Sequence, residues 1–368
     1  MKVLVVIGSQ ISGFPPVRNL VEILLRNGHT VTLMGRDRTG VYFEVNDRFK
    51  FVKIPEYDGI PSIIRYLKKI QFMREYVVEA MREHDVLWTT TDATVRDLGD
   101  LVLNYRHIMQ LMELIQDIPR FPGQTFWGLN IQKYAQKAFK VVVPEYNRAH
   151  IQKAWWSLPK LPSILPNKMT QPNFEEIKIP SDIEDVLTKT KEEKRKIILY
   201  QGVFQEDRDI DKFTEAIGKL KNEYVLYLMG NETKYKKLLC SMDDSIVNIP
   251  FIKPPYHLII TKQAYIGLLP YKAGNHSHYD KLNALYCAPN KIFEYAAYGV
   301  PMIGTDVPGL HVPFSEYGIG YICEPYTVEN VINKVNQIKA NYHEMSLRCK
   351  VFYNEINMDE IISSILYN

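Results

Sequence analysis

Apolar residues along this chain fall into two alternating kinds of segment. Short runs rich in branched apolar residues are typical of buried parallel strands, and longer segments with apolar residues every three or four positions are typical of amphipathic helices. The predicted strands are 2–8, 29–35, 49–55, 85–88, 107–114, 140–144, 196–201, 224–229, 246–249, 264–269 and 301–304. The predicted helices are 16–26, 60–84, 179–193 and most of the last 40 residues. This alternation predicts parallel sheets covered by helices, an α/β fold.

Prolines interrupt the pattern near the middle of the chain. Residues 158–172 read LPKLPSILPNKMTQP, and this density of proline excludes a helix. We interpret the segment as a hinge between two doubly wound domains, an amino-terminal one over 1–165 and a second over 166–345. The helical residues 346–368 are expected to pack back on the first domain. Two such sheets with a hinge predict a ligand cleft where the carboxyl ends of their strands face each other.

Length and charge agree with two domains and narrow the class of protein. The chain has 368 residues with a net charge of +3, too balanced for a dedicated nucleic-acid binder. Residues 1–165 hold 22 basic and 16 acidic residues, and the remainder holds 23 and 26. This asymmetry indicates that the two domains meet different partners.

The four cysteines are scattered and never form a CxxC pair, which gives a zinc or redox site no support. Such cysteines are typical of reduced, buried thiols in the cytosol. The first apolar run is too short for a signal peptide, and no stretch has the length of a spanning helix. We therefore expect a cytoplasmic protein.

The sequence lacks several common catalytic motifs. It contains no GxGxxG after the first strand, no Walker lysine loop, no HExxH and no GxSxG. Asp207 and Asp209 have the DxD spacing that can hold a divalent cation. Asp209 and Asp211 also suit the amino terminus of a helix, where acids are favoured by the helix dipole. Both interpretations stay open.

Residues 288–310 (APNKIFEYAAYGVPMIGTDVPGL) are the most informative segment. Pro289 favours a helix start, and Gly299 favours its end. Lys291 in the first turn makes the helix amino terminus suitable for a diphosphate, and Glu294 one turn later can accept hydrogen bonds from ribose hydroxyls. The alternative is an ordinary surface helix with a Lys291–Glu294 pair.

The same segment resembles the donor-site signature of GT-B glycosyltransferases, specifically the family 4-like retaining enzymes. The matching residues are Pro289, Asn290, Lys291, Phe293, Glu294, Tyr295, Ala297, Gly299 and Pro301. Residues 198–208 (ILYQGVFQEDR) also resemble a segment of these enzymes, and 266–271 (IGLLPY) is a weaker match. In the first half, 144–149 and 164–167 resemble further segments. The resemblance covers nearly the whole chain and implies a GT-B fold of two Rossmann-like domains.

By this resemblance, Arg208 and Lys291 are the catalytic cations that face the donor diphosphate. Glu294 binds the ribose, Asn290 supports the same pocket, and Gly202 lets the backbone approach the donor. No metal or other cofactor is expected, because two fixed cations can stabilise the leaving group. The nucleotide sugar enters as a substrate.

Tyrosine is unusually frequent, with 24 residues. We predict that four tyrosines surround the donor loop, where their rings can stack on sugar or base: Tyr271, Tyr279, Tyr286 and Tyr295. Of these, Tyr271 is predicted to bind the donor. His276 and His278 in this loop are expected to contact donor or nothing, not a metal.

Two positions depart from the family pattern. The family often has two glutamates eight positions apart, and Tyr286 stands at the earlier one. It also often has arginine directly after the glycine matched to Gly202, where this chain has Val203. Both departures occur in branches of the family that assemble polysaccharides.

The acceptor is expected on the first domain. Candidate residues are Gly13 in the loop after the first strand, Asp92 after the fourth, and Glu113, with His107 as an alternative to Glu113. A structural role for each is the competing interpretation. Helix 60–84 carries basic residues within 65–74, which suggests docking on an anionic membrane, and a solvated helix face is the competing interpretation.

The resemblance therefore implies a hexosyltransferase that uses a nucleotide sugar, with UDP favoured, and retains the anomeric configuration. Its acceptor would be a glycan or a lipid-linked oligosaccharide in surface polysaccharide or glycoconjugate assembly, at or near the inner face of the membrane. The alternatives are a GT-B epimerase acting on a UDP-sugar and a degenerate subunit that stabilises a partner transferase.

Overall fold

The computed structural model describes residues 1–38, 40, 47–121, 128–176, 178–205, 208–273 and 281–368. Contacts within these ranges divide the chain into two compact units. Unit 1 comprises residues 1–166, 281–283 and 357–368, and unit 2 comprises residues 167–273 and 284–356. These units are defined by contacts alone, and the domain ranges given above stay predictions.

Unit 1 is built on a parallel sheet. Its strands are β1 (Lys2–Gln10), β2 (Thr30–Arg36), β3 (Phe49–Lys53), β4 (Val86–Thr89), β5 (His107–Gln110), β6 (Ile118–Pro119), β7 (Gly128–Leu129), β8 (Lys140–Val143) and β9 (Ser163–Ile164). Among the described residues, seven of these strands form one parallel sheet in the order β3-β2-β1-β4-β5-β8-β9. In its register, Val3 lies opposite Val31 of β2 and Val86 of β4.

Helices connect these strands. They are α1 (Pro15–Arg26), α2 (Ser62–Ala80), α3 (Asp92–Leu98), α4 (Gln132–Lys137) and α5 (Tyr146–Trp156). Two prolines occupy the first positions of α1, where a missing N–H costs nothing. The hydroxyl of Thr91 caps α3 by accepting a hydrogen bond from the Thr94 N–H at 3.2 Å. The sequence pattern did not predict α3, α4 or α5 as helices.

The proline-rich segment 158–172 forms no helix, in agreement with its composition. It is not a hinge throughout, however. Ser163 and Ile164 pair with Val142 and Val143 and so make the edge strand of the first sheet. A proline can flank such a strand because an edge strand does not need every N–H.

Unit 2 repeats the plan of parallel strands and covering helices. Its strands are β10 (Lys196–Gln201), β11 (Tyr224–Met229), β12 (Ile246–Ile249), β13 (Ile266–Leu269), β14 (Met302–Thr305) and β15 (Gly320–Cys323). All pairings in the order β12-β11-β10-β13-β14-β15 are parallel. The prediction of an α/β fold with two parallel sheets is thus confirmed, and β15 is a strand that the sequence analysis missed.

The helices of the second half follow the same alternation. They are α6 (Ser181–Glu192), α7 (Asp211–Lys219), α8 (Lys234–Cys240), α9 (His257–Thr261), α10 (Lys281–Leu285), α11 (Asn290–Ala297), α12 (Pro308–Tyr317), α13 (Val328–Glu355) and α14 (Met358–Tyr367). Helix α13 is kinked at Asn341, which has φ −116° and ψ 17°.

The chain ends in unit 1. Helix α14 packs on α1, and Arg26 pairs with Asp359 there at 2.7 Å. Arg106 donates a hydrogen bond to the carbonyl of Leu366 at 2.6 Å. The residues 346–355 that precede this helix belong to unit 2. Within the described ranges, no helix has both the length and the apolar character needed to cross a membrane.

Candidate functional site

The end of β10 presents bare backbone to a lysine. Gly202 follows the strand with φ +136°, a conformation that side chains disfavour. A Cβ added at this position would lie 2.7 Å from Cε and 2.9 Å from Nζ of Lys291. The backbone conformation therefore favours glycine here, and the absence of a side chain also leaves room for the close approach of the Lys291 ammonium.

Two cations meet at one aromatic ring. Arg208 and Tyr271 form an antiparallel bridge, and the guanidinium carbon of Arg208 lies 4.2 Å from the Tyr271 ring centre. The ammonium of Lys291 lies 5.9 Å from the same ring centre. Two positive groups near one ring create a local field that favours a bound anion.

Helix α11 holds Lys291 and Glu294 in these positions. Its apolar residues Ile292 and Phe293 are buried in the core of unit 2, which fixes the rotation of the helix. Pro289 stands at the N-cap and has no side-chain acceptor to offer the first N–H groups. Asn290 is the first residue of the helix and lies beside Lys291 in sequence.

Glu294 lies inside unit 2, with 8% of its surface exposed. The amide of Gln201 donates a hydrogen bond to Oε2 at 2.6 Å, and Nε2 of His257 lies 3.6 Å from Oε1. Burial raises the pKa of this carboxyl. Contact with His257, the charge of Lys291 and the Gln201 hydrogen bond outweigh that effect, and the pKa is lowered below its usual value.

Of the donor-side residues, the structure thus brings together Gly202, Arg208, Tyr271, Lys291 and Glu294, all in unit 2. The sequence analysis missed Gln201, His257 and Thr261 around Glu294. Gln201 could have been found, because it is a polar residue that ends the apolar strand KIILYQ. No local pattern marks His257.

One of the four predicted tyrosines cannot contact a ligand. Tyr295 is fully buried, packs against Gly267 and donates its hydroxyl hydrogen to the carbonyl of Leu199 at 2.9 Å. The prediction that its ring stacks on sugar or base is therefore wrong, because the i+1 position after Glu294 points into the core. Tyr286 is partly buried, and Tyr279 lies outside the described residues.

The DxD segment is only partly described. Asp209 pairs with Lys272 at 3.2 Å, and Asp211 in the first turn of α7 accepts a hydrogen bond from the Tyr235 hydroxyl at 2.7 Å. The position of Asp211 agrees with the helix amino-terminal interpretation. Asp207, His276 and His278 lie outside the described residues. Elsewhere in the described chain, no three His, Cys, Asp or Glu side chains form a metal-binding group.

The acceptor-side candidates follow three neighbouring strands of unit 1. Gly13 ends the short 3-10 helix after β1, Asp92 begins α3 after β4, and Glu113 follows β5. Since β1, β4 and β5 are adjacent and parallel, all three residues lie towards the same edge of the sheet. Asp92 is buried, whereas Gly13 is exposed.

Glu113 is engaged by protein groups. The amide of Asn283 donates to its Oε2 at 2.7 Å, and Nη1 of the buried Arg148 lies 4.0 Å from the same oxygen. Arg148 also donates to the carbonyl of Asn283 at 3.0 Å, and the Leu114 N–H donates to the side chain of Asn283 at 2.8 Å. These contacts fix residues 281–283 within unit 1.

His107, the alternative to Glu113, is an interior residue. It is buried in β5, and its Nε2 contacts the hydroxyl of Thr89 at 2.8 Å. Burial lowers the pKa of its imidazole to about 3. His107 is therefore neutral in the fold and does not face an acceptor.

Comparison with known proteins identifies the fold. No model of a protein family matches the sequence, and no curated protein does. HepE of Anabaena, in complex with UDP and glucose, has a TM-score of 0.68 at 11% identity, covering 100% of this chain and 98% of that one. WaaG, a glycosyltransferase involved in lipopolysaccharide biosynthesis, has a TM-score of 0.66 at 12% identity, covering 98% of each chain. Sucrose-phosphate synthase from Thermosynechococcus elongatus has a TM-score of 0.65 at 14% identity, covering 99% and 94%. The expected GT-B fold with Rossmann-like domains is thereby confirmed.

Proposed function

We propose that the chain is a glycosyltransferase that moves a hexosyl group from a nucleotide sugar, with UDP favoured, to a glycan or lipid-linked acceptor. The observation that carries the proposal is the convergence of Arg208 and Lys291 on the Tyr271 ring beside Gly202. A diphosphate fits this arrangement because it brings two negative groups and needs an open backbone. Glu294, one turn along α11, is then available to the ribose.

The chemistry follows from the charges. Breaking the bond between the sugar carbon and the diphosphate oxygen places negative charge on the leaving group, which Arg208 and Lys291 stabilise. The acceptor hydroxyl forms the new bond to that carbon, and its proton passes to an oxygen of the departing diphosphate. Attack from the leaving-group face retains the anomeric configuration. We propose that these two side chains neutralise the charge of the leaving diphosphate without a metal ion.

The comparisons support this choice among reaction classes. The fold is shared with HepE in complex with UDP and glucose, and with WaaG of lipopolysaccharide biosynthesis. These likenesses favour UDP as the nucleotide and surface polysaccharide or glycoconjugate assembly as the setting. Transfer to an acceptor is favoured over epimerisation for the same reason.

We also propose peripheral membrane contact through the helix that carries residues 65–74, but through exposed residues near its amino terminus and not through Lys69. Lys69 does not point to a membrane, because its ammonium bonds to Asp97 at 2.6 Å and to the carbonyl of Gly8 at 3.3 Å. The amino-terminal part of α2 instead exposes apolar residues next to a lysine. These residues are Ile63, Ile64, Leu67 and Lys68. An apolar patch beside positive charge is suited to the anionic cytoplasmic face of a membrane.

A thermal-shift assay tests the donor site. We expect UDP or GDP to raise the melting temperature of the full chain, and Glu294→Ala to abolish the shift. Glu316→Ala, which removes an exposed glutamate of the same unit, is the control and should keep the shift. If no nucleoside diphosphate stabilises the protein, the donor-site assignment is wrong.

A panel of nucleotide sugars then tests the reaction. Release of free UDP with sugar hydrolysis supports a transferase, and conversion of the sugar to its epimer without release supports the epimerase alternative. Binding without turnover of any sugar supports the non-catalytic subunit.

A further inference from the structure

Two polar side chains, Thr261 and Gln201, form a series of hydrogen bonds that ends at the carboxylate of Glu294. The hydroxyl of Thr261 donates to Oε1 of Gln201 at 2.7 Å, and Nε2 of Gln201 donates to Oε2 of Glu294 at 2.6 Å. Thr261 ends α9 and Gln201 ends β10, so both belong to rigid elements. The Gln201 amide is therefore fixed in one orientation, and it fixes one oxygen of the carboxylate.

His257 faces the other oxygen at a distance longer than a direct hydrogen bond. It begins α9, and Nε2 of its ring lies 3.6 Å from Oε1 of Glu294. Its Nδ1 is buried and has no hydrogen-bond partner among the described residues. A buried nitrogen without a hydrogen-bond partner destabilises the fold. The ring is kept in this position despite that cost, and within the described residues it faces the carboxylate of Glu294.

We propose that His257 is a positioning residue that holds the Glu294 carboxylate in the plane needed to accept both vicinal hydroxyls of a ribose. This inference rests on the proposed function and deepens it, because it makes His257 a determinant of preference for ribonucleotides over 2′-deoxyribonucleotides. His257 acts through Glu294 and does not itself contact the donor in this proposal.

The lone pairs of the carboxylate account for the preference. Each carboxylate oxygen can accept two hydrogen bonds. Gln201 occupies one site on Oε2, and His257 faces Oε1, which leaves one site on each oxygen for a ribose hydroxyl. A 2′-deoxyribose leaves one of these sites empty in a buried position, and such mismatches are strongly rejected. Without His257, the carboxylate can turn towards Gln201 and serves one hydroxyl only.

The test measures the affinities of UDP and 2′-deoxy-UDP for the full chain by calorimetry, in wild type and in His257→Phe, with the GDP pair in parallel. We expect wild type to bind the ribonucleotide at least about tenfold more tightly. In His257→Phe the ribonucleotide affinity should fall to that of the deoxyribonucleotide, whose own affinity stays unchanged. His257→Gln should restore part of the preference, because its amide can donate to Glu294. His311→Phe is the matched control, since His311 pairs with Asp306 on the surface of the same unit.

The outcomes separate the two proposals. If wild type binds no nucleoside diphosphate, the proposed function itself is wrong. If wild type binds but His257→Phe keeps the preference, or loses affinity for both nucleotides equally, the positioning role is overturned. Should His257→Phe fail to fold, His257→Leu carries the same test, because leucine also has no donor for Glu294; an unchanged preference in that variant overturns the proposal.

Discussion

Charged side chains lie near the carboxyl edges of both parallel sheets, but their arrangement differs between the two units. In unit 1, Asp97 accepts hydrogen bonds from Tyr66 at 2.7 Å, Lys69 at 2.6 Å and Arg96 at 3.0 Å, so opposite charges compensate each other inside the fold. In unit 2, Arg208 and Lys291 bring charge of one sign to a single tyrosine ring. The first arrangement stabilises a fold, and the second stabilises a bound anion.

This difference separates residues that serve the fold from residues that serve a ligand. Breaking a buried ion pair is costly, because it leaves a buried charge without its partner. Two cations placed near each other attract a bound anion more strongly than one of them alone. Substitutions of Asp97 in unit 1 should therefore lower the free energy of unfolding. Substitutions of Arg208 or Lys291 in unit 2 should instead reduce donor binding and turnover.

The largest effect is expected for the two cations of unit 2. Arg208→Ala and Lys291→Ala should each lower kcat/KM for the nucleotide sugar by about 10²–10³, because each removes a fixed positive group from the leaving diphosphate. The measurement is the rate of UDP release from the donor identified by the sugar panel.

A matched lysine controls for generic loss of charge. Lys334 lies 5.4 Å from the ring centre of Tyr321 in the same unit, and Lys334→Ala should leave kcat/KM unchanged. Equal losses in Lys334→Ala and Lys291→Ala would show that net charge and not the local pair carries the effect.

The next effect concerns Asp97, whose side chain is 1% exposed. Asp97→Asn should lower the free energy of unfolding by about 3 kcal/mol, since it leaves the ammonium of Lys69 and the guanidinium of Arg96 without their shared anion. Chemical denaturation measures this loss. Asp100→Asn, which removes an exposed partner of Lys133, should leave stability nearly unchanged. Comparable losses in both variants would contradict the internal role of Asp97.

The smallest effect is a pH dependence from His107. Its folded-state pKa of about 3 lies below the ordinary 6.5, so the unfolded chain binds the proton first as pH falls. The stabilisation is complete above pH 6.5 and is lost by about 1.4 kcal/mol per pH unit as pH falls from there towards 3. His107→Gln should remove this component from unfolding free energies measured between pH 7.5 and 5. An identical acid profile in both proteins would refute it.

Sequence alone predicted the fold, and it pointed to residues that the structure brings together in unit 2, because the informative segment is local; their role in donor binding stays a prediction. Pro289, Lys291 and Glu294 lie within one short helix, and helical spacing alone puts them on known faces. Gly202 follows directly from the end of a buried strand, where a close backbone approach calls for glycine.

The surroundings of Glu294 could not be predicted in the same way. His257 comes from a helix with no pattern of its own, and only the folding of α9 against α11 brings it to the carboxylate. Tyr295 was misplaced because periodicity defines a face but not its depth in the core. Glu113 accepts a hydrogen bond from Asn283, which lies 170 residues away in the sequence, and no local pattern predicts such a contact.

The most direct test of the central claim is a calorimetric comparison of UDP with UMP. If Arg208 and Lys291 bind the diphosphate, wild type should bind UDP at least about tenfold more tightly than UMP, and this preference should be clearly smaller in Lys291→Ala, where Arg208 alone remains. UMP affinity should change little, since Glu294 remains available to the ribose. The same ratio of UDP to UMP affinity in wild type and Lys291→Ala would contradict the account.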